Sequence, residues 1–302
     1  MVGGLAQEWF DAKIMGALGR LRIVTRRSLS GVNRANRTAR RTGSSVEFAE
    51  HRTYVPGDDP RLLDWTAYGR LDRLYTRLFH DEEDMHVCLL VDVSRSMHTS
   101  LSPDADKFGM ARRVAAMLAH VALAGHLQVS LGFFADALVQ FSEPLRGKNR
   151  FHEVLRLLDS PPVASGMGTS FASSLSAVAS ASPRRSLIVV VSDFFDSAGI
   201  ELPLQKLLHR RCDLALVDVY EPIASGALPG GDLIVEDAET GVEVAIDAGP
   251  DVISRMAQNA ADRAETIRRW AAQFGVPFAR ISASDPYEMA TRALIAAGLL
   301  KQ

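Results

Sequence analysis

Two cysteines in 302 residues exclude a disulfide framework, and neither Cys88 nor Cys212 has zinc-ligand spacing around it. Each sits in an apolar, strand-like run, which is how small buried thiols behave in a reducing compartment. No Gly-x-x-x-x-Gly-Lys-Ser/Thr loop occurs, so the chain carries no evident nucleotide-hydrolysing machinery of its own. No Gly-x-Ser-x-Gly elbow surrounds Ser94 or Ser96, which argues against an α/β-hydrolase nucleophile. His80, His86, His98 and His126 lack the helical pairing of a zinc protease. Long apolar runs are also missing. Met1 to Ile23 mixes Glu8, Asp11, Lys13 and Arg20 with its apolar residues, so it has the core of neither a signal peptide nor a membrane span, and a cytoplasmic protein is expected. A net charge of −2 exerts no overall pull toward nucleic acid.

What is present is an ordinary globular composition, 47% hydrophobic and 23% charged, at a length that suits one large and one small unit. Trp9, Ile14, Leu18 and Leu21 have helical spacing, predicting an amphipathic helix within residues 5–24. Arg20, Arg22, Arg26, Arg27, Arg34, Arg37, Arg40 and Arg41 then crowd a polar segment with no acid between Asp11 and Glu47. That arm suits either contact with an acidic partner, anionic lipid or nucleic acid, or plain solvation; few aromatics interleave with it, which argues against single-stranded nucleic acid. From Ser45 to Phe79, short β-like pieces surround the breaker Pro56-Gly57-Asp58-Asp59-Pro60. Glu50, Arg52, Tyr54, Asp58, Asp64, Trp65 and Arg70 there are candidates for a docking surface, or equally for a mini-core with paired charges.

From His86 onward apolar strands alternate with helical stripes, which predicts a doubly wound, mainly parallel α/β sheet. Ser102-Pro103 is expected to open the first helix of this region, with Phe108, Ala111, Ala115, Leu118 and Ala122 on its inner face. Alternation on both sides of Gly241 predicts an inserted hairpin at about 232–247. Asp285-Pro286-Tyr287-Glu288 has capping-box spacing for a terminal helix. The expected organisation is residues 1–42 as helix and arginine arm, 43–84 as a small β-rich unit, and 85–302 as the α/β domain.

Asp92, Ser94 and Ser96 directly follow the apolar run Val87 to Val91, so a carboxylate and two hydroxyls stand where a buried strand ends. Gly166-Met167-Gly168-Thr169-Ser170 precedes a second helical stretch, and Leu187 to Ser192 is another apolar strand, ending at Asp193. In an open parallel sheet such strand ends share one edge, where ligands collect. Oxygen donors of this kind suit hard divalent ions; magnesium takes about six and keeps some of its waters. A competing chemistry is a Mg²⁺-dependent phosphatase or phosphotransferase with Asp92 as nucleophile. Haloacid-dehalogenase enzymes usually carry a second acid two residues later, and here that position is Ser94.

The three segments together resemble the metal-ion-dependent adhesion site of the von Willebrand factor A domain. The resemblance implies that Ser94, Ser96 and Thr169 bind Mg²⁺ (or Mn²⁺) directly, while Asp92 and Asp193 hold it through water. It departs at Met167 and Phe194, where glycine is common. Upstream, Glu47 to Trp65, continuing through Ala67-Tyr68-Gly69-Arg70-Leu71-Asp72, resembles the signature of the family named domain of unknown function 58. In that family the segment precedes an adhesion-type A domain, so the two resemblances cover about residues 43–302. Membership implies partnership with a MoxR-like AAA+ ATPase, and the metal site implies a protein partner supplying an Asp or Glu. The resulting expectation is a binding module rather than an enzyme.

Overall fold

Val87 to Val91 contains only apolar side chains, and all of the strand His86–Asp92 is buried, as a central strand covered on both faces requires. The structure, a computed structural model, describes residues 9–10, 12–24, 47–55, 60, 63–80, 85–102, 105–162, 170–183, 186–196, 199–210, 212–223, 231–236, 243–247 and 249–302. Strands in chain order are β1 (Arg22–Ile23), β2 (Glu47–Thr53), β3 (Tyr75–His80), β4 (His86–Asp92), β5 (Gln128–Phe134), β6 (Leu138–Phe141) and β7 (Leu145–Arg146), then β8 (Leu187–Ser192), β9 (Asp213–Tyr220), β10 (Asp232–Glu236), β11 (Glu243–Asp247), β12 (Phe278–Ser282) and β13 (Leu300–Lys301). Helices are α1 (Ala12–Leu18), α2 (Trp65–Leu71), α3 (Arg95–His98), α4 (Lys107–Ala124), α5 (Phe151–Asp159), α6 (Phe171–Ala181), α7 (Glu201–His209), α8 (Pro250–Phe274) and α9 (Tyr287–Ala296).

Two units result: Met1–Leu29 with His86–Gln302, and Ser30–Met85. In the larger one the sheet runs β12-β9-β8-β4-β5-β6, with β7 also on β5. Neighbours from β12 to β5 are parallel, while β6 and β7 are antiparallel to β5. This is the doubly wound, mainly parallel sheet that the alternation of apolar strands and helical stripes predicted. Alternation along each strand divides the core in two. Val87, Leu89 and Val91 join α4 and α5 on one face; Cys88 and Leu90 join α6, α7 and α8 on the other. Burial pushes the Cys88 thiol up to about 11, so it is packing material rather than a nucleophile.

Phe10, Leu18, Leu21 and Ile23 are buried in the larger unit, and β1 pairs antiparallel with β13. The opening helix therefore stops at Leu18, because the chain must extend to reach its strand partner. Three further local expectations are corrected. Helix α4 starts at Lys107, not after Ser102: Asp106 Oδ1 accepts the Gly109 N–H at 2.7 Å, and a Cβ on residue 109 would collide with that carboxylate. Asp285 accepts the Ser282 N–H at 3.0 Å instead of capping α9. The small unit holds an antiparallel β2–β3 pair as expected, but also helix α2. Asp64 starts that helix, its Oδ1 accepting the N–H groups of Thr66 and Ala67 at 2.9 and 3.0 Å. Strands β10 and β11 form the expected hairpin. Among the described residues no helix is long and apolar enough to cross a membrane.

Candidate functional site

Sheet order reverses between β4 and β8, which makes their carboxyl ends the switch point where open α/β sheets gather ligands. Asp92 is the last residue of β4, and Asp193 directly follows β8, its parallel neighbour. Both are buried, Asp92 completely and Asp193 to within 5%. Asp92 Oδ1 accepts the Ser94 N–H at 2.8 Å, a tight turn that brings Ser94 and Ser96 back over the strand end. Ser94 Oγ lies 3.1 Å from Ser96 Oγ, and Ser96 Oγ donates to Asp193 Oδ1 at 3.2 Å. Ser192 Oγ donates to Asp92 Oδ2 at 2.5 Å and accepts the Phe194 N–H at 2.8 Å. Four of the five expected positions thus share one oxygen-rich cluster.

Thr169, with Gly166, Met167 and Gly168, lies outside the described residues. Its C-terminal neighbours do reach this edge. The Ser170 N–H donates to Ala135 O at 2.9 Å, next to Phe134, whose carbonyl accepts the Val93 N–H at 2.8 Å. Phe171 packs between Phe134 and Phe194, with centroid distances of 5.4 and 5.6 Å. Phe194 has φ 54°, the left-handed conformation that explains why glycine suits this position.

Charge at the cluster is asymmetric. Burial, then the neighbouring Asp193 charge, pushes the Asp92 carboxyl up to about 7, against hydrogen bonds from Ser192 and Ser94. Asp193 is neutralised by Lys107, whose Nζ donates to Oδ2 at 2.8 Å. One strand further, Asp218 sits in register with Ser192 and Arg280. Burial pushes it up to about 7 as well, although Arg280 Nε lies 3.0 Å away and pulls the other way. The Arg263 guanidinium lies 3.3 Å from the Phe195 ring centroid beside this layer.

Two carboxylates and two hydroxyls, with no sulfur or imidazole among them, are the donor chemistry of a hard divalent ion. Among the described residues no group of three or more His, Cys, Asp and Glu could hold a metal, so any such site depends on the hydroxyls. The candidate docking residues are scattered by comparison. Asp64 is the buried cap of α2, Tyr54 is half-buried, and Trp65 and Arg70 are exposed. Asp58 and the side chains of Glu50 and Arg52 lie outside the described residues.

Residues 50–267, more than half of the chain, match the family model described as protein of unknown function DUF58. The chain belongs to the DUF58 family. An uncharacterized protein of Mycobacterium tuberculosis is 28% identical over 264 residues, covering 85% of this DUF58 chain and 82% of the relative. Among solved structures, the conserved hypothetical protein BatB from Bacteroides thetaiotaomicron is similar at 14% identity and a TM-score of 0.43, over 71% of this chain and 98% of that one. A von Willebrand factor type A protein from Catenulispora acidiphila is similar at 12% identity and a TM-score of 0.39, over 74% and 43% of the two chains.

Sequence reasoning missed four polar residues around the DUF58 cluster: Lys107, Ser192, Asp218 and Glu221. Glu221 accepts from Ser100 Oγ, Leu101 N and Ser102 N at 3.0, 2.9 and 2.6 Å, tying the segment between α3 and α4 to the end of β9. None carried a local signal: Lys107 stands in the opening turn of α4 only because the helix starts there rather than at Pro103.

Proposed function

We propose that this DUF58 chain is a metal-ion-dependent protein-interaction module, serving as a cytoplasmic adaptor for a MoxR-like AAA+ ATPase in the assembly or regulation of other proteins. Asp92, Ser94, Ser96, Thr169 and Asp193 are the residues that would hold Mg²⁺ or Mn²⁺. When bound, the ion supplies a Lewis-acidic position that a partner's Asp or Glu oxygen matches chemically. The observation carrying this reading is the cluster at the switch point, in which Ser96 Oγ bridges from Ser94 Oγ to Asp193 across two neighbouring strand ends. The phosphatase alternative gains nothing from the same geometry. Asp92 is fully buried, and the position two residues on, where a second acid would stand, is Ser94, whose N–H it accepts.

A single coordinated carboxylate makes too small an interface for a lasting complex, so additional area is needed. In the small unit Trp65, Tyr68 and Leu71 are exposed at 64%, 41% and 60%, an apolar face on α2 suited to a protein partner. The test is capture of the AAA+ partner from the native host by the tagged full chain, with Mg²⁺ and with EDTA. Capture should be lost in EDTA and in Asp92→Asn, which retains an acceptor for the Ser94 N–H. Equal capture under chelation would sink the metal-dependent reading.

A further inference from the structure

Lys107 holds a position that two physical rules disfavour. It is the first residue of α4, where the helix dipole repels cations, and its side chain is only 10% exposed, where an ammonium is costly unless paired. What offsets both is Asp193 Oδ2 at 2.8 Å. Asp193 Oδ1 already accepts from Ser96 Oγ and from Phe195 N, at 3.2 and 3.3 Å. Both oxygens of this acid are therefore engaged, one of them by a full positive charge.

We propose that Lys107 is a built-in competitor of the divalent ion, occupying Asp193 until the ion enters and then leaving that carboxylate for solvent. The inference rests on the metal-dependent reading above. Charge balance favours exchange over co-occupancy. With both acids ionised, the state that a divalent ion requires, two carboxylates and one ammonium sum to one negative charge; adding the ion without moving Lys107 would turn that into one positive charge, in a buried place where unpaired charge is penalised. Departure of Lys107 restores neutrality. The lysine stem is long and flexible, and Phe195, whose ring centroid lies 6.0 Å from the ammonium, is itself 44% exposed, so the way out is short.

Two measurements on the full chain test this. Mn²⁺ binding, followed by the electron paramagnetic resonance of the free ion, is compared between the wild type and Lys107→Met. Amine labelling of the wild type is followed by mass spectrometry with and without saturating Mn²⁺; exposed Lys13, Lys148, Lys206 and Lys301 serve as internal references. The expected result is about tenfold tighter Mn²⁺ binding in Lys107→Met, with labelling of Lys107 in the wild type rising when the ion is added. Equal or weaker binding in a folded variant, or Mn²⁺ binding that leaves Lys107 labelling unchanged, overturns the competitor role and leaves the metal reading standing. Absence of Mn²⁺ binding in both proteins overturns the two together. Should Lys107→Met fail to fold, the labelling of the wild type decides alone.

Discussion

Phe194 shows how much one backbone angle decides at this edge. Its φ of 54° turns the chain sharply after Asp193 and aims its own N–H at Ser192 Oγ, while the ring fills the gap beside Phe171. Left-handed backbone is strained for any residue with a Cβ, so the aromatic packing must outweigh that strain. Phe194→Ala loses the ring and keeps the strain; Phe194→Gly loses the same ring and sheds it. The glycine variant should therefore be the more stable of the two by about 1 kcal/mol in urea unfolding, the reverse of the order seen in ordinary helices and strands. Equal stabilities would mean that the folded chain does not hold residue 194 in this conformation. The fully buried Asp92 beside it is a different case, where desolvation rather than backbone geometry sets the chemistry.

Among the elements, the short helix α3 and the opening turn of α4 carry Ser96 and Lys107, and among the described residues of the segment joining them only Ala105 is buried. Glu221 supplies the anchor that burial does not. Glu221→Ala removes a charged acceptor from two backbone N–H groups and one hydroxyl, bonds worth about 1.5–3 kcal/mol each when an ion is involved. Hydrogen exchange at Leu101 and Ser102 should accelerate by about tenfold or more, while Leu118 in the buried middle of α4 stays protected. Unchanged exchange at Leu101 would show that the segment is held by something other than Glu221. The same scale accounts for the misplaced helix starts. Ser102 and Asp106 are both good caps by type, and the choice went to Asp106 because Gly109 leaves room for its carboxylate. Helix α2 escaped notice for a related reason: its start depends on Asp64, which by residue type alone suits a docking surface as well as a cap.

Across the whole molecule, buried acids give stability an unusual dependence on pH. Asp218 loses its proton near the ordinary 3.8 in the unfolded chain but only at about 7 in the folded one. Between those values the folded state holds a proton that the unfolded state has lost, so this group's effect on stability worsens as pH rises, then levels off above about 7. Asp218→Asn removes that slope. Relative to the parent, the variant should gain stability steadily from pH 4 to 7 in urea unfolding, whatever constant offset comes from leaving Arg280 without its carboxylate. A pH-independent difference would mean that Arg280 keeps Asp218 ionised in the folded protein.

Much of this architecture was legible locally. Val87 to Val91 and Leu187 to Val191 read as strands because a parallel strand is apolar on both faces, and α4 read as a helix because Phe108, Ala111, Ala115, Leu118 and Ala122 repeat at its period. Four of the acid and hydroxyl positions, Asp92, Ser94, Ser96 and Asp193, stood out because chemistry sits at the end of an apolar run. By itself, then, the sequence determined which stretches become strands and helices and which oxygens lie at their ends, since periodicity and strand termini are properties of neighbouring residues. Only the tertiary structure decided that Lys107 meets Asp193 across 86 residues, and that Asp218 and Arg280 stand in register beside them. Those pairings follow from the order of strands in the sheet, which is set by how whole elements bury their faces against one another.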